Sequence, residues 1–185
     1  LLYIANDDEH LENITRHLLE IFTKLIPNKK VMFMDVDDEY DGQFDLFARI
    51  SEPETLEDMA NQLMLELEDR KKGETGHDFI IFIPNLEKFV QASGLTGEQV
   101  SALYQEGWKY NMHFVVGSSY SYISNNAIGS PARQVKAYNQ HYLLGMRLTD
   151  QTILEKPYNS KEPYLNKDEV YLYGRPSSVK LKITI

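Results

Sequence analysis

Apolar positions along the chain follow two alternating rhythms. Residues 1–5 form a short unbroken apolar run and predict a buried strand. Asn6, Asp7 and Asp8 follow as natural helix caps, and Leu11, Ile14, Leu18, Ile21, Phe22 and Leu25 then recur on one helical face until Pro27 and Asn28 end it. Residues 31–36 read as a second strand, followed by an acidic loop from Asp37 to Gly42. Pro53, with Ser51 ahead of it as a possible cap, opens a helix whose stripe is Leu56, Met59, Ala60, Leu63, Met64 and Leu67. Arg70, Lys71 and Lys72 suit the negative end of that helix, and Gly73 stops it. The run from Phe79 to Ile83 is apolar throughout, the mark of a central strand covered on both faces. A helix is predicted over 98–108, a buried strand over 112–116 leading into Gly117, Ser118 and Ser119, and another strand over 141–146. Residues 158–167 are polar and rich in turn formers, and two last short strands, 170–173 and 179–185, flank a turn marked by Gly174 and Pro176.

Strands alternating with helices predict an α/β fold: a mostly parallel central sheet with helices on both faces, and a C-terminal β-hairpin that adds antiparallel edge strands. With 185 residues and no internal repeat, residues 1–185 read as a single domain. No apolar run approaches the roughly 18 residues needed to cross a bilayer. The opening lacks a basic, signal-like region and begins on Leu1, which reads as a segment of a longer protein, so membrane attachment is expected only through the parent chain. The absence of Cys excludes disulfides, thiolate metal sites and Cys nucleophiles and fits a cytoplasmic address. A net charge of −9 argues against nucleic acid as a partner.

In an open parallel sheet, ligands bind at the carboxyl ends of the strands, which directs attention to the loops after Ala5, Val36, Ile83 and Val116. The first has the strand, loop, helix layout of a phosphate-binding loop. Such a loop needs Gly for close backbone approach, Lys on the β- and γ-phosphates and Ser or Thr on Mg²⁺. The stretch from Ala5 to Asn13 has no Gly and no Lys, and Thr15 comes too late. It carries Asp7, Asp8, Glu9 and Glu12 instead. One carboxylate at about 4 Å from a phosphate costs roughly 1 kcal/mol in water and about 4 at an effective dielectric near 20. Several together outweigh the helix dipole. After the strand 79–83, Pro84 and Asn85 stand where two acids would hold Mg²⁺ and orient water, and Glu87 lies past the strand end. No residue is assigned a catalytic role.

Other chemistry is weaker still. Counted from Asp37, Gly42 takes the sixth position of a calcium loop, but Ala48 takes the twelfth, where a bidentate Glu is required. Glu74 and His77 have ligand spacing but lie among Gly73 and Gly76, off any helix face, and no metal is expected. Ser118 and Ser119 lack the nucleophile elbow. Tyr120, Tyr122, Tyr158, Tyr164, Tyr171 and Tyr173 fall on predicted loops or edge strands, where they serve either as a partner surface or as ordinary packing. Arg133 with Lys136, and Arg175 with Lys180 and Lys182, are basic clusters too sparse for a nucleic-acid track.

Taken in order, the helix end at 65–73, FIIFIPNLEKF at 79–89, NMHFVVGSS at 111–119, HYLLGMRLTDQTIL at 141–154 and VYLYGRPSSVKLKI at 170–183 are similar to FtsK/SpoIIIE-type ATPase domains. The resemblance is strongest to the last ATPase-like domain of the membrane ATPases of Firmicutes type VII secretion. It implies a three-layer P-loop fold of the RecA/FtsK kind within a membrane-anchored parent that has further cytoplasmic ATPase domains, works as a hexamer and exports small helical-hairpin proteins of the Trp-x-Gly class. On that alignment the Walker A site falls on Ala5 through Glu12, with Asn6, Asp7, Asp8, Glu9 and His10 as its loop, and the Walker B site on Pro84 and Asn85. Both depart from the family pattern. The leading expectation is therefore a domain without a bound cofactor that acts in substrate recognition or in regulation of export. The alternatives are an active ATPase whose ATP and Mg²⁺ site is completed by Arg or Lys from a neighbouring subunit, and a structural domain that holds the hexamer together.

Overall fold

Eight strands build one sheet in the computed structural model, which describes residues 1–25, 30–40, 48–74, 76–155, 162–174 and 177–183. The strands are β1 (Leu2–Ala5), β2 (Lys30–Met34), β3 (Ala48–Ile50), β4 (Phe79–Ile83), β5 (Met112–Ser119), β6 (His141–Gly145), β7 (Glu169–Gly174) and β8 (Ser177–Lys182). Their order across the sheet is β3-β2-β4-β5-β1-β6-β7-β8. The first six run parallel, and β7 and β8 close the sheet as an antiparallel hairpin. The helices are α1 (Asp8–Leu25), α2 (Pro53–Lys71), α3 (Leu86–Ser93), α4 (Gly97–Glu106), α5 (Tyr120–Ile123) and α6 (Pro131–Tyr138).

The first strand lies centrally, between β5 and β6, whereas β2 sits three places away, beyond β4 and β5. The carboxyl ends of β4, β5 and β1 therefore lie side by side, the position in which open parallel sheets hold ligands. In β1 the side chains alternate between two cores, as the two-residue strand period requires. Leu2 and Ile4 join Met32, Met34, Ile81 and Ile83 beneath α2, α3, α4, α5 and α6. Tyr3 and Ala5 join Phe33, Phe82 and Val115 beneath Leu11, Ile14, Leu18 and Leu19 of α1. Phe82 anchors the second core, with the rings of Phe33, Tyr3 and Phe22 at 5.6, 6.0 and 6.2 Å. Burial on both faces is why these strands read as continuous apolar runs.

The layers are unequal: among the described residues, α1 is the one helix that contributes buried side chains to the second core. No helix among these residues is long and apolar enough to cross a membrane. Several local expectations change. Glu52, not Ser51, occupies the cap position of α2, without a capping side-chain bond. Arg70, in the last turn of α2 as expected, is also buried, and it donates to the carbonyls of Tyr110 at 2.6 Å and His77 at 3.0 Å. Tyr120 and Tyr122 lie on α5, and Tyr173 is buried on β7. The acidic loop opens as a 3₁₀ turn, Val36–Asp38, tied to a buried Asp35 that pairs with Arg49 and accepts the amides of Glu39 and Tyr40 at 3.0 and 3.2 Å. Pro27, Asn28, Gly42, Tyr158 and Arg175 lie outside the described residues.

Candidate functional site

At the carboxyl end of the sheet, only Asn6 and Asp7 separate the last residue of β1 from the first of α1. The helix therefore starts where a phosphate-binding loop would still be turning. Asp7 serves that start itself. Its Oδ1 accepts the amide of His10 at 3.0 Å, and its carbonyl accepts the amide of Leu11 at 3.1 Å. One of the free amides at the helix tip, which would otherwise face an anion, is thus occupied by the chain's own carboxylate. Lys167 reaches across to pair with Asp7 and lies 3.6 Å from Glu9. Partial burial pulls the Asp7 carboxyl upward, but the Lys167 and His10 hydrogen bonds outweigh it and hold the group below its usual range. The bond to Asp7 in turn raises Lys167.

Asn6, Asp8 and Glu9 are exposed, whereas His10 turns inward. Its Nε2 lies 2.9 Å from the Glu169 carbonyl and so carries the proton of that bond. Burial, the largest influence, lowers the His10 pKa against the opposing pull of that carbonyl and of Asp7. Gly145 makes room for this packing, since a Cβ there would meet Ile14 at 3.0 Å and the His10 ring at 3.1 Å. Thr15 is also committed to the interior, bonded to the Tyr3 hydroxyl at 2.8 Å and donating to the Leu11 carbonyl at 2.9 Å.

Beside the tip lies a cavity of about 370 Å³ whose wall includes Asp8, Glu12, Glu39, Tyr40, Asn85 and Lys88. Arg16 bonds Glu12 at 2.8 Å, and Lys88 pairs with Glu39. Asn85 caps α3 by accepting the amide of Lys88 at 3.1 Å. Pro84 is buried. Ser119, at the end of the neighbouring strand, caps α5 by accepting the amide of Tyr122 at 3.3 Å, and Ser118 is buried against the Ser119 carbonyl at 3.2 Å.

The fold thus brings Asp8 and Asn85 to one cavity, leaves Asp7 and Glu9 on the neighbouring rim with Lys167, and withdraws His10 into the core. It also supplies two ammonium groups that the local sequence lacks. Lys88 arrives from 49 residues beyond Glu39, and Lys167 from 160 residues beyond Asp7. No local pattern announces either lysine. Both are engaged by carboxylates, and Asp8, Glu12 and Glu39 keep the cavity wall acidic.

No family model matches the chain. The chain is 26% identical to the type VII secretion system protein EssC of Staphylococcus aureus (strain MRSA252), over 95% of this chain and 12% of that protein. It thus spans about an eighth of the length of that curated relative. The solved structure of EssC ATPases 2 and 3 from Geobacillus thermodenitrificans superposes with a TM-score of 0.73 at 13% identity, covering 98% of this chain and 36% of that one. EccC ATPases 2 and 3 from Thermomonospora curvata, solved in complex with a signal sequence peptide, superpose with a TM-score of 0.70 at 12% identity, covering 98% and 36%. The mixed α/β architecture, a large and mostly parallel sheet with helices, matches that of these P-loop ATPase-like structures. In sequence over nearly its whole length, and in fold, this chain resembles an ATPase domain of the type VII secretion protein EssC.

Proposed function

We propose that this chain is a non-catalytic ATPase-like domain of a type VII secretion motor, positioned on the cytoplasmic side of a membrane-anchored parent. It acts there in substrate recognition or in regulation of export. The observation that carries this reading is Asp7: its carboxylate already fills the amide site at the tip of α1, and its countercharge is the chain's own Lys167. A triphosphate arriving there would have to displace an internal anion and then face Asp8, Glu12 and Glu39. Pro84 and Asn85 supply no carboxylate for Mg²⁺, and Asn85 is spent on a helix cap. The EccC structure with a signal sequence peptide supports recognition of exported proteins as the retained role. The substrates proposed for this chain are small secreted helical hairpins of the Trp-x-Gly class, presented to a hexameric parent.

Calorimetric titration of the chain with Mg-ATP, beside a pull-down against candidate secreted helical-hairpin proteins, tests both halves. No saturable nucleotide heat and retention of a hairpin protein are expected. Micromolar nucleotide binding would refute the non-catalytic half, and retention of no hairpin protein would refute recognition.

A further inference from the structure

A second cavity lies away from the α1 tip. It measures about 660 Å³ and is enclosed by α6, the segment after α5, the start of β6, the end of β7 and residues 152–154. Its apolar side is formed by Tyr142, Tyr173, Ile153 and Leu154. The two tyrosine rings meet edge to face, with centroids 6.3 Å apart. The titratable side chains on the wall besides these tyrosines are Arg133, Lys136 and His141, and no described carboxylate lines it.

That charge pattern is unusual in this chain, where Asp and Glu outnumber Lys and Arg by 28 to 19. Among the described side chains, every Lys and Arg outside this cavity except Lys109 forms a salt bridge with a carboxylate. Arg133 and Lys136 form none with a described carboxylate. They are three residues apart on α6 and so share a face. Lys136 Nζ donates to the Asn125 carbonyl at 3.1 Å and to Asn126 Oδ1 at 2.7 Å, which fixes the ammonium and leaves a third N–H to give. Burial first, and the charge of Arg133 second, hold Lys136 below the usual lysine range. Two neighbouring cations that repel each other, one of them held in place and with no described carboxylate between them, match one dianionic group better than one monoanion. Arg supplies a planar fork suited to phosphate oxygens, and Lys a point charge.

We propose that this cavity binds a small phosphate monoester, with the phosphate held between Arg133 and Lys136 and the organic body lying against Tyr142, Tyr173, Ile153 and Leu154. The volume falls within the range of about 300–1,000 Å³ usual for small-molecule sites. The site is independent of whatever the α1 tip does with nucleotide.

The test is titration of the chain with phenyl phosphate, inorganic phosphate and benzoate, followed by calorimetry and by amide chemical shifts. Phenyl phosphate should bind saturably and more tightly than inorganic phosphate, which lacks the ring, or benzoate, which lacks the second charge. Arg133→Gln and Lys136→Gln should each weaken it about tenfold or more, the effect of losing a charge-assisted hydrogen bond. Lys167→Gln, at the α1 tip, should leave it unchanged. The Arg133 side chain is exposed and makes no described hydrogen bond, so its variant keeps the fold and decides the matter even if Lys136→Gln is destabilised. Lack of saturable binding, binding that survives Arg133→Gln, binding lost in Lys167→Gln, or equal affinity for benzoate would each overturn the assignment.

Discussion

His10 sits within the stretch that aligns with a nucleotide loop, yet its ring serves the interior of the fold. It ties the first turn of α1 to the start of the C-terminal hairpin through the Glu169 carbonyl. Burial makes the native state resist a proton there, while Lys167 adds repulsion and Asp7, Glu9 and the Glu169 carbonyl offset part of the effect. The unfolded chain takes up that proton near the ordinary value of 6.5, and the native chain does so only at lower pH. Between those points the unfolded state binds more protons, so stability declines as pH falls from above 6.5 through the depressed native value. Asp7 acts in the same direction in a lower window, since its contribution is lost as pH drops below 3.8 through its depressed native pKa. His10→Gln keeps a donor for the Glu169 carbonyl and removes the titration. The expected outcome is that the variant loses less stability than the parent chain between about pH 7.5 and about pH 5.5, compared by urea unfolding at each pH. An equal loss in both would show that His10 is not the group responsible.

At the scale of elements, β4, β5 and β1 are locked together at Gly117. A Cβ at that position would overlap the Pro84 carbonyl oxygen and lie 2.5 Å from the Tyr3 ring. Neither obstacle is the loose end of a flexible side chain, because Pro84 leaves a central strand and Tyr3 is fully buried. Gly117→Ala should therefore cost about 1–3 kcal/mol, the usual penalty for overpacking, read as a lower urea midpoint. The same three strands show what the sequence could reveal. Phe79–Ile83 is apolar throughout and the α1 stripe is long and regular, which located both, and the hairpin was marked by Gly174 and Pro176. By contrast β3 is three residues long and α5 four, too short to repeat a pattern, and α3 and α6 complete barely two turns each. Asn85, Ser119 and Ser130 belong to residue types that favour helix caps, and all three act as caps here. The lysines at the α1 tip were invisible for a different reason: Lys167 is 160 residues from its partner, and only the sheet order brings them together.

Across the whole molecule, the two cores are unequal in cover but cannot be separated. The first is covered by five helices, α2 to α6, and the second depends on α1. Each central strand feeds both: Leu2 and Ile4 point one way and Tyr3 and Ala5 the other, and Ile81 and Ile83 oppose Ile80 and Phe82. If α1 lifted away, the reverse faces of the same strands would be exposed while their front faces stayed packed. That state keeps the ordering cost of the whole sheet and loses the burial of one entire face that helps to offset it. The sheet should therefore unfold as one unit in spite of its lopsided layers. Leu19→Ala, on the buried face of α1, and Leu67→Ala, on the buried face of α2, each remove a fully buried side chain. Each should cost about 2–5 kcal/mol, with a lower urea midpoint and an unchanged denaturant slope. A shallower slope or a second transition in Leu19→Ala alone would mean that the thin layer opens by itself, and the coupling through alternating strand residues would then be too weak to hold the two cores together.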